Sequence, residues 1–173
     1  MIPLLFLLQA AAAATTPAAP PPWTVTTRPS ADPTITSTLT GVTSADGNAR
    51  LIVRCDAGAA KVVSVQLFSK VPLGGPPDRP VSLTVDGGMA MIDNWEFVEK
   101  GAYERGEVAV TTLTTAIAKG KTIALHTTTA AGVAVDATFA GPSNAQPVTG
   151  VLAACGYTLG AVPVAAPTPK PTK

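Results

Sequence analysis

The sequence contains few charged, aromatic or metal-binding side chains. Charged residues make up 13% of the chain, about half of the usual share, and aromatic residues make up 5%. The formal net charge of +1 provides no basic footprint for nucleic acid or for an acidic membrane surface. One histidine and two cysteines are too few ligands for a zinc site. We therefore expect no nucleic-acid partner, no cofactor and no bound metal.

Both ends of the chain have compositions that do not suit a packed core. Residues 2–14 form an apolar run that is too short to span a bilayer and ends in alanines, including Ala12-Ala13-Ala14, which predicts a signal peptide over 1–14. An uncleaved hydrophobic anchor is the alternative. A proline-rich linker is predicted over 15–22, and a proline-rich, disordered tail over 163–173. One β-rich domain over 23–162 remains, in a periplasmic or secreted protein without a membrane span after signal cleavage.

Valine and threonine are frequent in this domain, and apolar and polar residues alternate with the period of two that half-buried strands show. Trp23 leads the first predicted strand. Further strands are predicted over 35–39, 51–55, 62–68, 81–86, 91–97, 122–128 and 133–139.

Two segments depart from this alternation and predict short helices. Apolar residues with helical spacing predict a helix over 111–119, with Gly120 as its cap. A second helix is predicted over 146–154, with a proline in its first turn and Gly156 after its end. The expected fold is therefore mainly antiparallel β, as a sandwich-like sheet or a partly open barrel, with two short α-helices.

The two cysteines, Cys55 and Cys155, lie at the end of a predicted strand and at the end of the second predicted helix. In an exported chain, two cysteines most simply form one disulfide. A reactive thiol or a metal-binding pair is the alternative, but the chain has no Cys-x-x-Cys motif and no histidine near either cysteine in the sequence.

Several short motifs occur in a recognisable order along the predicted domain. They are the strand 51–55 that ends in Arg-Cys, Asp86, Trp95, the segment 137–141 (Ala-Thr-Phe-Ala-Gly) and the segment 154–157 (Ala-Cys-Gly-Tyr). This order resembles the periplasmic proteins of the TagO type that are associated with type VI secretion, although Thr84 stands where that family tends to have an arginine. The resemblance implies a periplasmic β domain with a disulfide and a role in secretion assembly. It implies no catalytic residues.

Three residues are candidates for contact with a partner: Trp23, Asp86 and Trp95. The indole rings could stack on a sugar ring or a peptide, and the alternative is that they belong to the core. The single histidine, His126, lies on a predicted strand, and the chain has no Gly-x-Ser-x-Gly nucleophile elbow. We expect it to be a surface or hydrogen-bonded strand residue, and we predict no catalytic residue.

The acidic residues between positions 86 and 107 form the one marked concentration of charge. Their oxygens could bind calcium, but their spacing matches no EF-hand loop, and a solvated edge or loop is the favoured interpretation.

Two functions follow from the sequence. The first is a non-enzymatic envelope accessory or scaffold protein that binds a protein partner, with type VI secretion assembly as the role that the resemblance implies. The alternative is a small secreted hydrolase or ligand-binding protein whose pocket the residue spacing does not reveal.

Overall fold

A computed structural model of the chain describes residues 22–163. The predicted signal peptide, nearly all of the linker and the tail beyond Pro163 lie outside the described residues. The elements are β1 (Thr26–Pro29), β2 (Thr36–Thr43), β3 (Ala49–Ala57), β4 (Lys61–Ser69), β5 (Arg79–Val85), β6 (Met91–Val98), β7 (Gly101–Glu104), α1 (Glu107–Lys119), β8 (Thr122–Thr128), β9 (Ala134–Ala140) and α2 (Gln146–Ala154).

The nine strands form one antiparallel sheet in the order β1-β2-β3-β4-β7-β6-β5-β8-β9. The predicted fold class is confirmed, since the chain is mainly antiparallel β with two helices. The sheet is not closed, because β1 and β9 remain its two end strands. Consecutive strands pair in both halves of the sheet, and the central pairs β4-β7 and β5-β8 connect elements that are more distant along the chain.

Although the sheet is open, it curls until β2 and β9 approach each other. Trp23 bridges them, because its backbone N–H donates to the carbonyl of Gly41 at 2.7 Å and its indole N–H donates to the carbonyl of Ala140 at 2.8 Å. A further bond runs from the backbone N–H of Ala45 to the carbonyl of Thr138 at 2.9 Å. The Trp23 side chain is only 5% exposed, so it closes this seam as a core residue.

Both helices contribute to a single core with the inward faces of the strands. The first helix buries Val110, Leu113 and Ile117, whereas the second buries Val148, Val151 and Leu152. Leucine, valine and phenylalanine side chains from β3 to β9 complete the cluster. Within residues 22–163, no helix is long and apolar enough to cross a membrane.

The disulfide between Cys55 and Cys155 is confirmed. It joins β3 to the residue that follows α2, with a Cα–Cα distance of 5.8 Å. Both cysteines are buried, at 0% and 4% exposure. The end of α2 is also fixed by backbone bonds from Gly156 and Tyr157 to carbonyls of the last helical turn, with a positive φ at Gly156. This is the Schellman ending that glycine favours.

Three local predictions are wrong. Trp23 does not lead a strand, because its φ of 59° places it in a turn before β1. The strand β7 was not expected, since its four residues are too few to show an alternation. The helix α1 begins at Glu107, four residues before the predicted start at Thr111, because Val110 packs into the core despite its preference for strands.

Arg79 at the start of β5 organises the loop that precedes it. Its guanidinium donates to the carbonyls of Leu73 at 2.9 Å, Gly75 at 2.8 Å and Thr128 at 3.2 Å. It also lies 3.8 Å above the ring of Phe97, within the range of a cation–π interaction. The planar fork of arginine suits several fixed carbonyl acceptors, so Arg79 serves the fold.

Candidate functional site

An apolar groove of about 280 Å³ lies between β6 and α1. We call it the β6–α1 groove. One wall consists of Met91, Ile92, Asp93 and Trp95 from β6; the other consists of Val108, Ala109, Thr112 and Leu113 from α1.

The groove exists because β7 is shorter than β6. The pairing of β7 with β6 covers only Glu96, Phe97 and Val98, and the chain then turns at Gly106 into α1. The earlier part of β6 therefore has β5 on one side and faces the first turns of α1 on the other.

Two exposed apolar side chains line the groove, and a third precedes β6 in the sequence. Ile92 and Val108 are each 67% exposed, and Met89, in the turn just before β6, is 92% exposed. Trp95 forms part of the lining but is only 1% exposed, so its ring belongs to the floor. Exposed aliphatic side chains above a buried aromatic floor are typical of a surface that binds another molecule.

Two carboxylates lie at or near this groove. Asp93 lines it and accepts a hydrogen bond from the backbone N–H of Asn94 at 2.8 Å. Glu104 is 6% exposed and accepts the backbone N–H of Gly106 at 2.5 Å. Burial raises the pKa of Glu104 above its ordinary value, and the nearby negative charge of Asp93 raises it further.

Arg105 follows Glu104 in the sequence, and its positive charge only partly offsets the upward shift in the pKa of Glu104. Arg105 forms an ion pair with Glu96 and lies 5.0 Å from the ring centre of Tyr103. Among the described residues, Asp93 and Glu104 have no ion pair with lysine or arginine. This part of the surface is therefore acidic as well as apolar.

A second surface lies on the outer side of β5, β8 and β9. Ser82, His126 and Asp136 are register partners across these three strands. The Nδ1 atom of His126 lies 2.7 Å from Oδ1 of Asp136, and a shallow depression of about 170 Å³ adjoins the row.

The environment of His126 is open. Its side chain is 55% exposed and that of Asp136 is 73% exposed. Within the described part of the chain, no side-chain hydrogen bond joins Ser82 to His126. His126 is thus a surface residue that is hydrogen-bonded on its strand, as predicted, although the row does contain the residue types of a serine hydrolase.

The three candidate partner-binding residues have different environments. Trp23 is buried in the seam with its indole N–H bonded internally, so the prediction that its ring contacts a partner requires correction. Trp95 lies at the floor of the groove. Asp86 is exposed, but its carboxylate accepts the backbone N–H groups of Lys121 and Thr122 and so holds the turn between α1 and β8.

The acidic stretch does not converge on one point. Within residues 22–163, no group of three or more His, Cys, Asp or Glu side chains could hold a metal ion. The stretch instead spans β6, β7 and the start of α1, with side chains that point to different surroundings.

Ile92 and Val108 were not among the site residues predicted from the sequence. One signal for Ile92 was available in the sequence. Apolar and polar residues alternate along β6, and Ile92 is apolar at a position where this alternation predicts a polar, exposed residue. Val108 could not be identified, because the helix that carries it starts earlier than the sequence indicated.

No family model, curated protein or solved structure matches this chain. The resemblance to the TagO type therefore stays a prediction from the short motifs described above.

Proposed function

We propose that this chain is an exported, non-enzymatic envelope protein that binds a protein partner at the β6–α1 groove. We also propose that it acts in the assembly of a type VI secretion system, since the order of its motifs resembles the TagO type. The observation that carries the binding proposal is that Ile92 on β6 and Val108 on α1, each 67% exposed, both line one groove with an aromatic floor.

The disulfide supports export. Structural disulfides persist in oxidising compartments and are rare in the cytosol. The bond between Cys55 and Cys155 is buried and joins two separate elements of the core, which is typical of a structural rather than a redox-active bond. Together with the apolar run at residues 2–14, it favours a periplasmic or secreted location.

The rim of the groove supports a protein partner. Single exposed apolar residues are common on protein surfaces and need no explanation. Here, however, two aliphatic side chains that are each 67% exposed line one groove, and the second wall is a helix. A partner that covers them would gain hydrophobic free energy in proportion to the apolar area removed from water.

Site-specific crosslinking in intact envelopes tests this proposal. A photoreactive amino acid replaces Ile92 in one variant and Val133 in a matched control, which is 59% exposed in the turn between β8 and β9. We expect a discrete crosslinked protein from position 92 that is absent from position 133. Identification of that protein by mass spectrometry as a component of a type VI secretion system would support the assembly role.

The opposite results would contradict the proposal. Identical products from both positions would mean that the groove is not a preferred surface. Absence of any product from position 92, with the chain correctly exported and oxidised, would remove the groove as the binding site. A discrete partner outside any secretion system would leave partner binding in place and remove the assembly role.

The alternative is a small secreted hydrolase, and the row of Ser82, His126 and Asp136 is the observation that favours it. A fluorophosphonate probe reacts with an activated serine. Labelling of Ser82 that disappears in the variant His126→Ala would favour the hydrolase. An unlabelled Ser82 under conditions that label a known serine hydrolase would count against it.

A further inference from the structure

One edge of β6 is only partly covered by its neighbour. The pairing with β5 runs along Met91 to Trp95, and the pairing with β7 on the other side begins only at Glu96. From Met91 to Asn94, the edge that faces the groove has no adjacent strand within the described chain.

The pairing of β6 with β5 determines which backbone N–H and carbonyl groups of β6 point toward the groove. Pro80 has no N–H, and its carbonyl accepts the hydroxyl of Thr127 on β8 at 3.0 Å, so its backbone faces β8 rather than β6. Its register partner Asn94 is therefore in a pair without hydrogen bonds. Because backbone direction alternates along a strand, Ile92 shares the orientation of Asn94, and the backbone groups of both residues point toward the groove.

The turn between β6 and β7 independently indicates the same direction for these backbone groups. Glu99 and Lys100 form a two-residue hairpin turn, with a φ of 52° at Glu99, between the paired residues Val98 and Gly101. In such a turn the closing pair exchanges hydrogen bonds. The even-numbered residues of β6 thus direct their backbone groups toward β7, and beyond the end of β7 they direct them into the groove.

These backbone groups are mostly unpaired. The N–H of Asn94 is bonded to the side chain of Asp93. With this orientation, the N–H and carbonyl of Ile92 and the carbonyl of Asn94 point away from β5 and face no adjacent strand in the described part of the chain. A free strand edge beside a helix is the geometry by which some domains bind an extended peptide as an additional strand.

We propose that an extended segment of a protein partner binds in the β6–α1 groove by adding a strand to the edge of β6. This inference rests on the proposed function and specifies how the partner is recognised. The segment pairs its backbone with Ile92 and Asn94. Every second side chain is apolar and enters the groove toward Trp95, and a lysine or arginine of the segment lies against Asp93 and Glu104.

The chain's own ends and a second copy fit the groove less well. The segments 15–22 and 163–173 each contain four prolines, which lack the N–H that strand pairing needs. Two copies that paired edge to edge in antiparallel fashion around Asp93 would bring two carboxylates together without a cation. A basic extended segment avoids both problems.

The first experiment uses a library of linear ten-residue peptides displayed on phage as the probe. The library is panned on the oxidised, folded chain. Binders are retained if Val108→Glu abolishes their capture, whereas the control Lys119→Glu, at an exposed position of α1 outside the groove, leaves it intact. We expect sequences with alternating apolar residues, at least one lysine or arginine and no run of prolines.

The tightest peptide is then synthesised with a methyl group on each backbone nitrogen in turn. Strand addition predicts a period of two: methylation at every second residue weakens binding by about tenfold or more, and methylation between these positions has little effect. A uniform effect, no effect, proline-rich binders or a failure to select any groove-dependent peptide would overturn the inference.

A second experiment changes the protein instead of the peptide. Ile92→Pro removes the free N–H without removing a bond to β5, and Ile92→Ala removes the side chain but keeps the N–H. We expect Ile92→Pro to bind the selected peptide about tenfold more weakly than Ile92→Ala. Equal affinities would refute strand addition. If Ile92→Pro no longer unfolds cooperatively, the methylation series decides alone.

The two proposals fail in different ways. A discrete crosslinked partner at position 92 together with a methylation series that lacks the period of two would leave partner binding in place and remove strand addition. No crosslinked partner at position 92 would remove the proposed function itself, whatever peptides the library yields.

Discussion

Removal of the Cys55–Cys155 bridge gives a quantitative test of what holds this domain together. The two cysteines are 100 residues apart, so the bond closes a loop that contains most of the folded chain. In the loop-entropy model, a closed loop of about 100 residues stabilises the native state by ~4.7 kcal/mol relative to the open unfolded chain. A typical domain has a total stability of roughly 5–15 kcal/mol.

The contacts around the bridge indicate that the native state survives its loss. Val148, Val151 and Leu152 anchor α2 in the core independently of the sulfur atoms. We therefore expect Cys55→Ala/Cys155→Ala to remain folded but to lose about 3–5 kcal/mol, mostly because its unfolded state gains freedom. With a denaturant dependence of about 2 kcal/mol/M in urea, the unfolding midpoint falls by about 2 M.

Urea unfolding followed by tryptophan fluorescence measures this shift, and reduced wild-type protein serves as the matched control. Reduction breaks the bond without removing atoms from the core, whereas the alanine variant also leaves a small cavity. Loop entropy predicts similar midpoints for both. If the reduced protein unfolds at the same urea midpoint as the oxidised protein, the loop-entropy explanation is refuted. If only the alanine variant loses stability, the loss comes from packing around the cavity.

Three further substitutions test other parts of the fold. Trp23→Phe removes the hydrogen bond to the carbonyl of Ala140, and we expect a loss of about 1–2 kcal/mol in urea unfolding; an unchanged midpoint would contradict the role of the indole N–H in the seam. Arg79→Lys loses the guanidinium fork that donates to several carbonyls, and we expect the free energy of unfolding to fall by about 2 kcal/mol. The control Arg50→Lys, at an exposed position, should leave the free energy of unfolding almost unchanged. Equal effects of the two substitutions would contradict the structural role of Arg79. Because burial raises the pKa of Glu104 above its ordinary value of 4.5, its contribution to stability is fully present below that pH and is lost as the pH rises through the folded-state pKa. Melting temperatures should therefore fall over this range relative to Glu104→Gln, and a difference between the two proteins that does not depend on pH would contradict the direction of the shift.

The sequence predicted the elements whose patterns are long and regular. The bounds of β8 and α2 agree with the prediction, since β8 alternates over seven residues and Gly156 marks the end of α2. The Cys55–Cys155 pairing was predictable because only two cysteines are present. Where the pattern was short, as in β7, or where tertiary packing overrode local preference, as at the start of α1, the prediction was wrong.

The groove could not be predicted from the sequence for a geometric reason. Ile92 and Val108 are separated by a strand, a turn and a helix start, and they line one groove only because β7 ends at Glu104. Strand length and register decide this position, and no local motif encodes them. The predicted candidates were instead the bulky Trp23 and Trp95, which the structure uses to fill the seam and the floor.

Glu104 contributes both to the position of the β6–α1 groove and to the negative charge near it. The residue lies at the end of β7, and its carboxylate accepts the N–H of Gly106 just before α1, so it helps to fix the point at which the strand stops and the helix begins. A glutamine could accept the same bond without the cost of burying a charge. The pKa of the carboxylate is instead raised, mainly by burial and also by Asp93; the charge of Arg105 lowers it only in part, so the ionised form has no cation that fully compensates it. A lysine or arginine from a bound segment would supply that cation, lower the pKa of Glu104 and recover free energy that the unbound protein forgoes. The buried charge therefore favours a basic ligand at the same edge of β6 where the backbone lacks a partner.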